Sequence, residues 1–203
     1  MATINKNKLN YIQKLYESGL SAREIAADLN VSLDSIYYFF RKNNIKRRSA
    51  KENNQLQFQR KTPTFQVKKN LNESEKILKT AGIMLYWAEG SKWQNEKIVD
   101  FTNSDIKMVK MFLMFLRRIC QIDEKKLRAY LYCYSNQDVD DLIKYWSGVT
   151  NIPIQQFTKP YIRKDYKSEK KGKMKFGMIH VRYGDKKLLI LIKDWIKEFA
   201  RKI

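Results

Sequence analysis

Within its first 48 residues the chain is punctuated so closely that only short helices fit there. Gly19 can adopt the left-handed conformation that closes a helix at C′, so a helix over about 6–18 ends at that point. Ser21-Ala22-Arg23-Glu24 has the form of a capping box and starts a second helix. That helix ends around Leu29-Asn30, because Asn tolerates the left-handed backbone of a tight turn. Ser32 then caps a third helix, from 33 to about 42. Ile25, Leu29, Val31, Ile36 and Phe39 fall where the second and third helices must bury their inner faces, and Ala26 is small where they cross.

Charge narrows what such a unit can meet. The 203 residues carry 41 Lys and Arg against 21 Asp and Glu, a formal net charge of +20. Residues 1–48 hold nine basic and four acidic side chains, 49–72 five and one, and 73–203 twenty-seven and sixteen. Every segment is positive, so the whole molecule is drawn to phosphate backbones in a salt-dependent way. Apolar residues make up 43% and aromatics 13%, enough for real cores rather than a disordered basic tail.

The first 48 residues resemble the helix-turn-helix of resolvase-type DNA-binding domains. In such a unit the third helix enters the major groove. Its early and exposed positions are Ser32, Asp34, Ser35, Tyr37, Tyr38 and Arg41, although at least one of the two tyrosines is expected to complete the small core. Lys46, Arg47 and Arg48 follow as a basic extension suited to backbone or minor-groove contact. Residues 49–72 read as a linker, polar over Ser49–Gln55 and broken at Thr62-Pro63-Thr64. If flexible, 24 residues span about 25–30 Å. That is less than one turn of DNA, about 34–36 Å, so the first unit would read sequence just outside the footprint of the rest.

Several chemistries are excluded. Cys120 and Cys133 have neither metal-ligand nor redox spacing, which fits a reduced, cytoplasmic protein. No apolar run approaches a membrane span and residues 1–14 lack a signal core, so no membrane partner is expected. The single histidine, His180, rules out histidine-rich zinc sites and nucleases, and is expected to pack on a sheet or touch a phosphate. Any cutting of DNA would fall to carboxylates and a hard divalent metal.

Residues 73–203 mix helices and strands without a regular βαβ rhythm, which predicts an α+β domain. Helices are expected over 73–88, 105–120, 137–149 and 185–201, and strands near 91–95, 97–103, 125–134, 155–163 and 174–183. The segment 125–134 alternates: Leu127, Ala129, Leu131 and Cys133 on one side, Arg128, Tyr130, Tyr132 and Tyr134 on the other. The second set predicts a basic, aromatic surface for nucleic acid; the alternative is a tyrosine face covered by the chain's own loops. Residues 163–173, with Lys167, Lys170 and Lys171, read as a basic hairpin tip reaching along a backbone.

Leu85-Tyr86-Trp87-Ala88-Glu89-Gly90-Ser91, then a strand ending Val99-Asp100-Phe101-Thr102-Asn103, then an amphipathic helix from Met108, resembles the LAGLIDADG homing-endonuclease family. Aligned on Gly90, the family's metal-binding acidic residue is Glu89; its earlier aspartate falls on Trp87 and its inner glycine on Met84. The resemblance implies a mixed helix and antiparallel-sheet domain, with Glu89 as catalytic residue and ligand to Mg²⁺ or Mn²⁺. One motif per chain implies a homodimer packed through Ala81, Leu85 and Ala88, and the sheet would lie along double-stranded DNA. Lys92, just past the motif, joins the DNA-contact set. A sequence-specific endonuclease is the leading expectation, a non-catalytic DNA-binding regulator the alternative, and an RNA-binding role a third reading. A helix-turn-helix favours duplex DNA over RNA, whose A-form major groove closes to a helix.

Overall fold

A computed structural model describes residues 8–164 and 174–202. It divides into two compact units, Met1–Thr62 and Pro63–Ile203.

Among the described residues the first unit has four α-helices. α1 (Leu9–Glu17), α2 (Ala22–Asp28) and α3 (Leu33–Lys42) enclose Ile12, Ile25, Ala26, Ile36, Phe39 and Phe40. The caps do what their sequences require. Ser21 and Glu24 close a capping box, Ser32 Oγ accepts from Ser35 N at 3.2 Å, Gly19 takes φ +98°, and Asn30 turns the chain at φ +52°.

The segment 49–72 is not a linker, and its two halves belong to different units. α4 (Ala50–Arg60) begins with a second capping box, Ser49 with Glu52, a signal present in the sequence and passed over. No residue of α4 is buried, so no apolar period advertises it. Polar contacts hold it instead: Gln57 Nε2 donates to Glu24 at 3.1 Å, and Arg60 Nη1 donates to Gly19 O at 3.0 Å and to Glu24 at 3.3 Å. Beyond Pro63 the chain straps onto the second unit. Thr64 N and Oγ1 donate to Asp185 Oδ2 at 2.9 Å each, Phe65 bridges Ile122, and Lys68 N donates to Ile119 O at 2.9 Å.

The second unit is α+β. α5 (Glu73–Glu89) starts from an Asn72–Glu75 capping box and leads to β1 (Val99–Asn103). α6 (Ile106–Met114) continues into a π-helical turn, Phe115–Ile119; β2 (Leu127–Tyr134), α7 (Val139–Thr150), β3 (Phe157–Arg163), β4 (Met178–Tyr183) and α8 (Lys186–Ala200) follow. The strand expected at 91–95 is absent: only Gly90 bridges Phe101, and the chain turns between Trp93 and Glu96.

The sheet has the order β1-β4-β2-β3. β4 pairs antiparallel with β1 and β2, but β3 runs parallel to β2, so the sheet is mixed rather than antiparallel as expected. The reason is the α7 crossover between them, the connection a parallel pair needs. β2 also lies between β3 and β4, so these two strands are not hydrogen-bonded neighbours. Residues Lys167, Lys170 and Lys171 fall outside the described residues.

The helices cover one face of this sheet. Val99, Phe101, Leu127, Ala129, Leu131, Ile179 and Val181 are fully buried in one cluster with Phe112, Phe115, Leu116 and Trp146. Gly82 admits α5 to this packing: a Cβ there would lie 2.1 Å from Phe115 Cγ.

Candidate nucleic-acid interface

In α3 the inner residues Ile36, Phe39 and Phe40 are consumed by the core. Asp34, Tyr38 and Arg41, at i, i+4 and i+7, form one exposed line, with Tyr38 58% exposed. This is the row a third helix offers to base edges. Ser32 and Ser35 are bound to each other, their hydroxyl oxygens 2.8 Å apart, and serve the cap. Tyr37 packs on the core beneath the Arg47 guanidinium, 3.9 Å from its ring centroid. Lys46 and Arg47 are exposed.

Arg48 does not extend that surface. Its Nη2 donates to Tyr16 O at 2.7 Å and Leu20 O at 2.6 Å, and its guanidinium stacks 3.8 Å from the Tyr16 ring centroid. Tyr16 O also accepts from Gly19 N at 3.0 Å, and Leu20 lies in the turn after α1, so Arg48 ties the end of α1 to that turn. It is part of the fold, not of the exposed basic extension.

The second surface is the sheet face on which no helix packs among the described residues. The register sets its rows: Asp100, Arg182 and Arg128; then Thr102, His180 and Tyr130; then Met178, Tyr132 and Tyr161. Tyr132 and Tyr161 stack with centroids 5.0 Å apart, and Tyr161 is half exposed. Arg128 is exposed, and its Nη1 donates to the carbonyls of Lys125 and Leu127 at 2.7 Å each. Tyr134 departs from the expected surface: at the end of β2, beneath Arg163, it is 7% exposed.

At the head of this face Asp100 is 7% exposed yet charged. Its Oδ1 is 2.9 Å from His180 Nδ1, and its Oδ2 accepts from Arg182 Nε at 2.8 Å. Burial works against its charge, but the hydrogen bonds and charges of His180 and Arg182 outweigh it and hold the carboxyl below the usual range. Thr102 Oγ1 lies 2.8 Å from the same His180 nitrogen. Arg182 covers the Tyr130 ring at 4.4 Å. Sequence reading passed over Asp100 and Arg182; the alternation Met178, His180, Arg182 was the available signal for β4, but its pairing with β1 is not local.

Glu89 is exposed at the C-terminus of α5, without a hydrogen-bond or ion-pair partner among the described residues. A carboxylate there faces the negative end of the helix. Among the described residues no three His, Cys, Asp or Glu side chains gather as a metal cluster. Ala88 is exposed, Ala81 half-buried, and Leu85 packs on the core. The open side of α5 shows instead Ile77 (70% exposed), Met84 and Trp87. Just beyond, Trp93 stands 71% exposed between exposed Lys92 and Gln94. No helix among the described residues is long and apolar enough to cross a membrane.

No curated protein and no solved structure matches the chain. Residues 2–43 match the family model described as the helix-turn-helix domain of resolvase, the stretch whose third helix carries Asp34, Tyr38 and Arg41 outward. The protein therefore carries a resolvase-type helix-turn-helix DNA-binding domain at its N-terminus, joined to an α+β unit.

Proposed function

We propose that the protein recognises a specific duplex DNA site with two surfaces, α3 and the bare sheet face, and cuts it as a two-fold dimer. The observation that carries the reading is a sheet face of arginine and tyrosine left uncovered by helices among the described residues, in a chain of net charge +20 with a helix-turn-helix domain. Phosphate attraction supplies affinity for both surfaces, and the α3 row supplies base discrimination.

Cleavage rests on Glu89 and on the resemblance of 81–119 to the LAGLIDADG pattern. The carboxylate and the helix-end carbonyls are hard oxygen donors of the kind Mg²⁺ or Mn²⁺ takes. One chain offers a single carboxylate there; a second copy, packed on the open side of α5, doubles it. Glu89 from each copy would hold the divalent ion, which when bound would supply an activated water and stabilisation of the leaving oxygen. A non-catalytic regulator is the second reading, favoured by the lack of a three-ligand cluster among the described residues.

Selection of bound sites from a random duplex library, followed by Mg²⁺ in one arm and Ca²⁺ in the other, separates the two. Strand cutting with Mg²⁺ is expected in the wild type, and Glu89→Gln should abolish it while the gel shift survives. Tight binding of a selected site that is never nicked with Mg²⁺ or Mn²⁺ assigns the protein to the regulators.

A further inference from the structure

We infer that Arg182 and Arg128 together hold one backbone phosphate of duplex DNA, and that buried Asp100 is the positioning residue that aims Arg182 at it. This rests on the reading that the bare sheet face meets DNA.

Asp100 has an unusual place for a buried carboxylate in this chain. Glu75 and Asp185, buried to a similar degree, cap helices α5 and α8. Asp100 caps nothing: it lies within β1 on the face away from the core, and its carboxylate oxygens go to two side chains of β4. Burying a charge is costly unless it is paired and hydrogen-bonded. Here one oxygen takes Arg182 Nε and the other lies at His180, which Thr102 contacts from β1. Tyr130 lies beneath the guanidinium plane. Edge and face are therefore fixed, and the two terminal nitrogens have no hydrogen-bond partner among the described residues. A guanidinium held in this way is pre-organised for a planar, two-point contact with a phosphate.

Arg128 supplies the second half. It is directly opposite Arg182 in the β2–β4 register, and like charges directly opposite on neighbouring strands repel. Asp100 neutralises one of the two guanidiniums, so the row keeps one positive charge in excess. Arg128 is tied through Nη1 to the carbonyls of Lys125 and Leu127 at the start of its strand. An anion over the pair relieves the repulsion, and a DNA phosphodiester is the anion that a protein with a helix-turn-helix domain brings to such a face.

The test uses the full chain and a fluorescent duplex carrying a selected site, titrated over a range of salt. Arg182→Gln and Arg128→Gln should each make the dependence of log K on log salt shallower by about 0.9, the effect of one lost phosphate contact. The double variant should lose no more than either alone, because the phosphate is shared. Asp100→Asn removes a negative charge, which by simple attraction would tighten binding. The expected result is the reverse: affinity falls about tenfold or more, the worth of a hydrogen bond to a charged group. The melting temperature stays within a few degrees, and the change adds nothing in the Arg182→Gln background. Tighter binding by Asp100→Asn overturns the positioning role, as does a fall in stability with the DNA contact intact. If Asp100→Asn fails to fold, Arg182→Lys takes its place: it keeps the charge without the aimed fork, and wild-type affinity overturns the role. Loss of affinity with Tyr132→Ala but not with Arg182→Gln leaves the sheet face on DNA and removes the phosphate site. Unchanged affinity in all sheet-face variants removes the DNA reading of the second unit as well.

Discussion

Gly82 and Phe115 are in contact so close that a Cβ on the glycine would sit 2.1 Å from Cγ of the ring. Phe115 is fully buried at the start of the π-helical turn and cannot swing away. Gly82→Ala gains about 1 kcal/mol of helix propensity in α5 but overpacks the core, at a cost of about 1–3 kcal/mol. The variant should unfold at lower urea than the wild type by fluorescence, the slope unchanged. A more stable variant would show that α5 can draw back from α6.

Tyr38 and Arg41 are exposed on the outward line of α3. Arg41→Ala should relax discrimination at one base pair by about 1–3 kcal/mol. Arg48→Ala should act differently, lowering thermal stability by removing the hydrogen bonds to the carbonyls of Tyr16 and Leu20. Site selection and melting curves on the two variants separate these effects. Equal loss of specificity in both would place Arg48 on DNA after all.

The Glu24 carboxyl is pulled down to about 2, first by the backbone N–H of Ser21, then by its hydroxyl, against some desolvation, with Gln57 and Arg60 also contributing. A free glutamate titrates near about 4.3. A carboxyl with a depressed folded pKa contributes stability that is present above the unfolded value and lost as pH falls through the folded one. The first unit should therefore lose thermal stability between about pH 4.3 and about pH 2. Glu24→Gln should flatten that part of the profile in circular dichroism. An identical acid profile in the variant would show that the α2 cap and the α4 contacts do not depend on the charge.

The open side of α5 carries Ile77, Met84 and Trp87. Met84→Asp places a charge in the middle of this side and should convert a dimer to a 24.3 kDa monomer in light scattering, with helix content retained. If the wild type is already a monomer, alone and on DNA, paired Glu89 carboxylates are not available and cleavage through them is ruled out.

Local chemistry made much of this protein legible. A cap needs residues three apart, a left-handed turn needs one Asn or Gly, and a half-buried strand needs a period of two. The sequence by itself therefore determined the α1–α3 unit, the turns at Gly19 and Asn30, and the alternation of Leu127, Ala129, Leu131 and Cys133 against Arg128, Tyr130 and Tyr132. Tertiary structure decided what depends on residues far apart in the chain. Glu24 meets Arg60 across 36 positions and turns an expected linker into α4. The α7 crossover makes β3 parallel to β2, and Phe115 packs so closely on α5 that only a glycine fits at 82. Asp100 meets Arg182 across 82 positions, because β4 inserts between β1 and β2. Such pairings are set by loop closure and by which face is buried, and no local period encodes either.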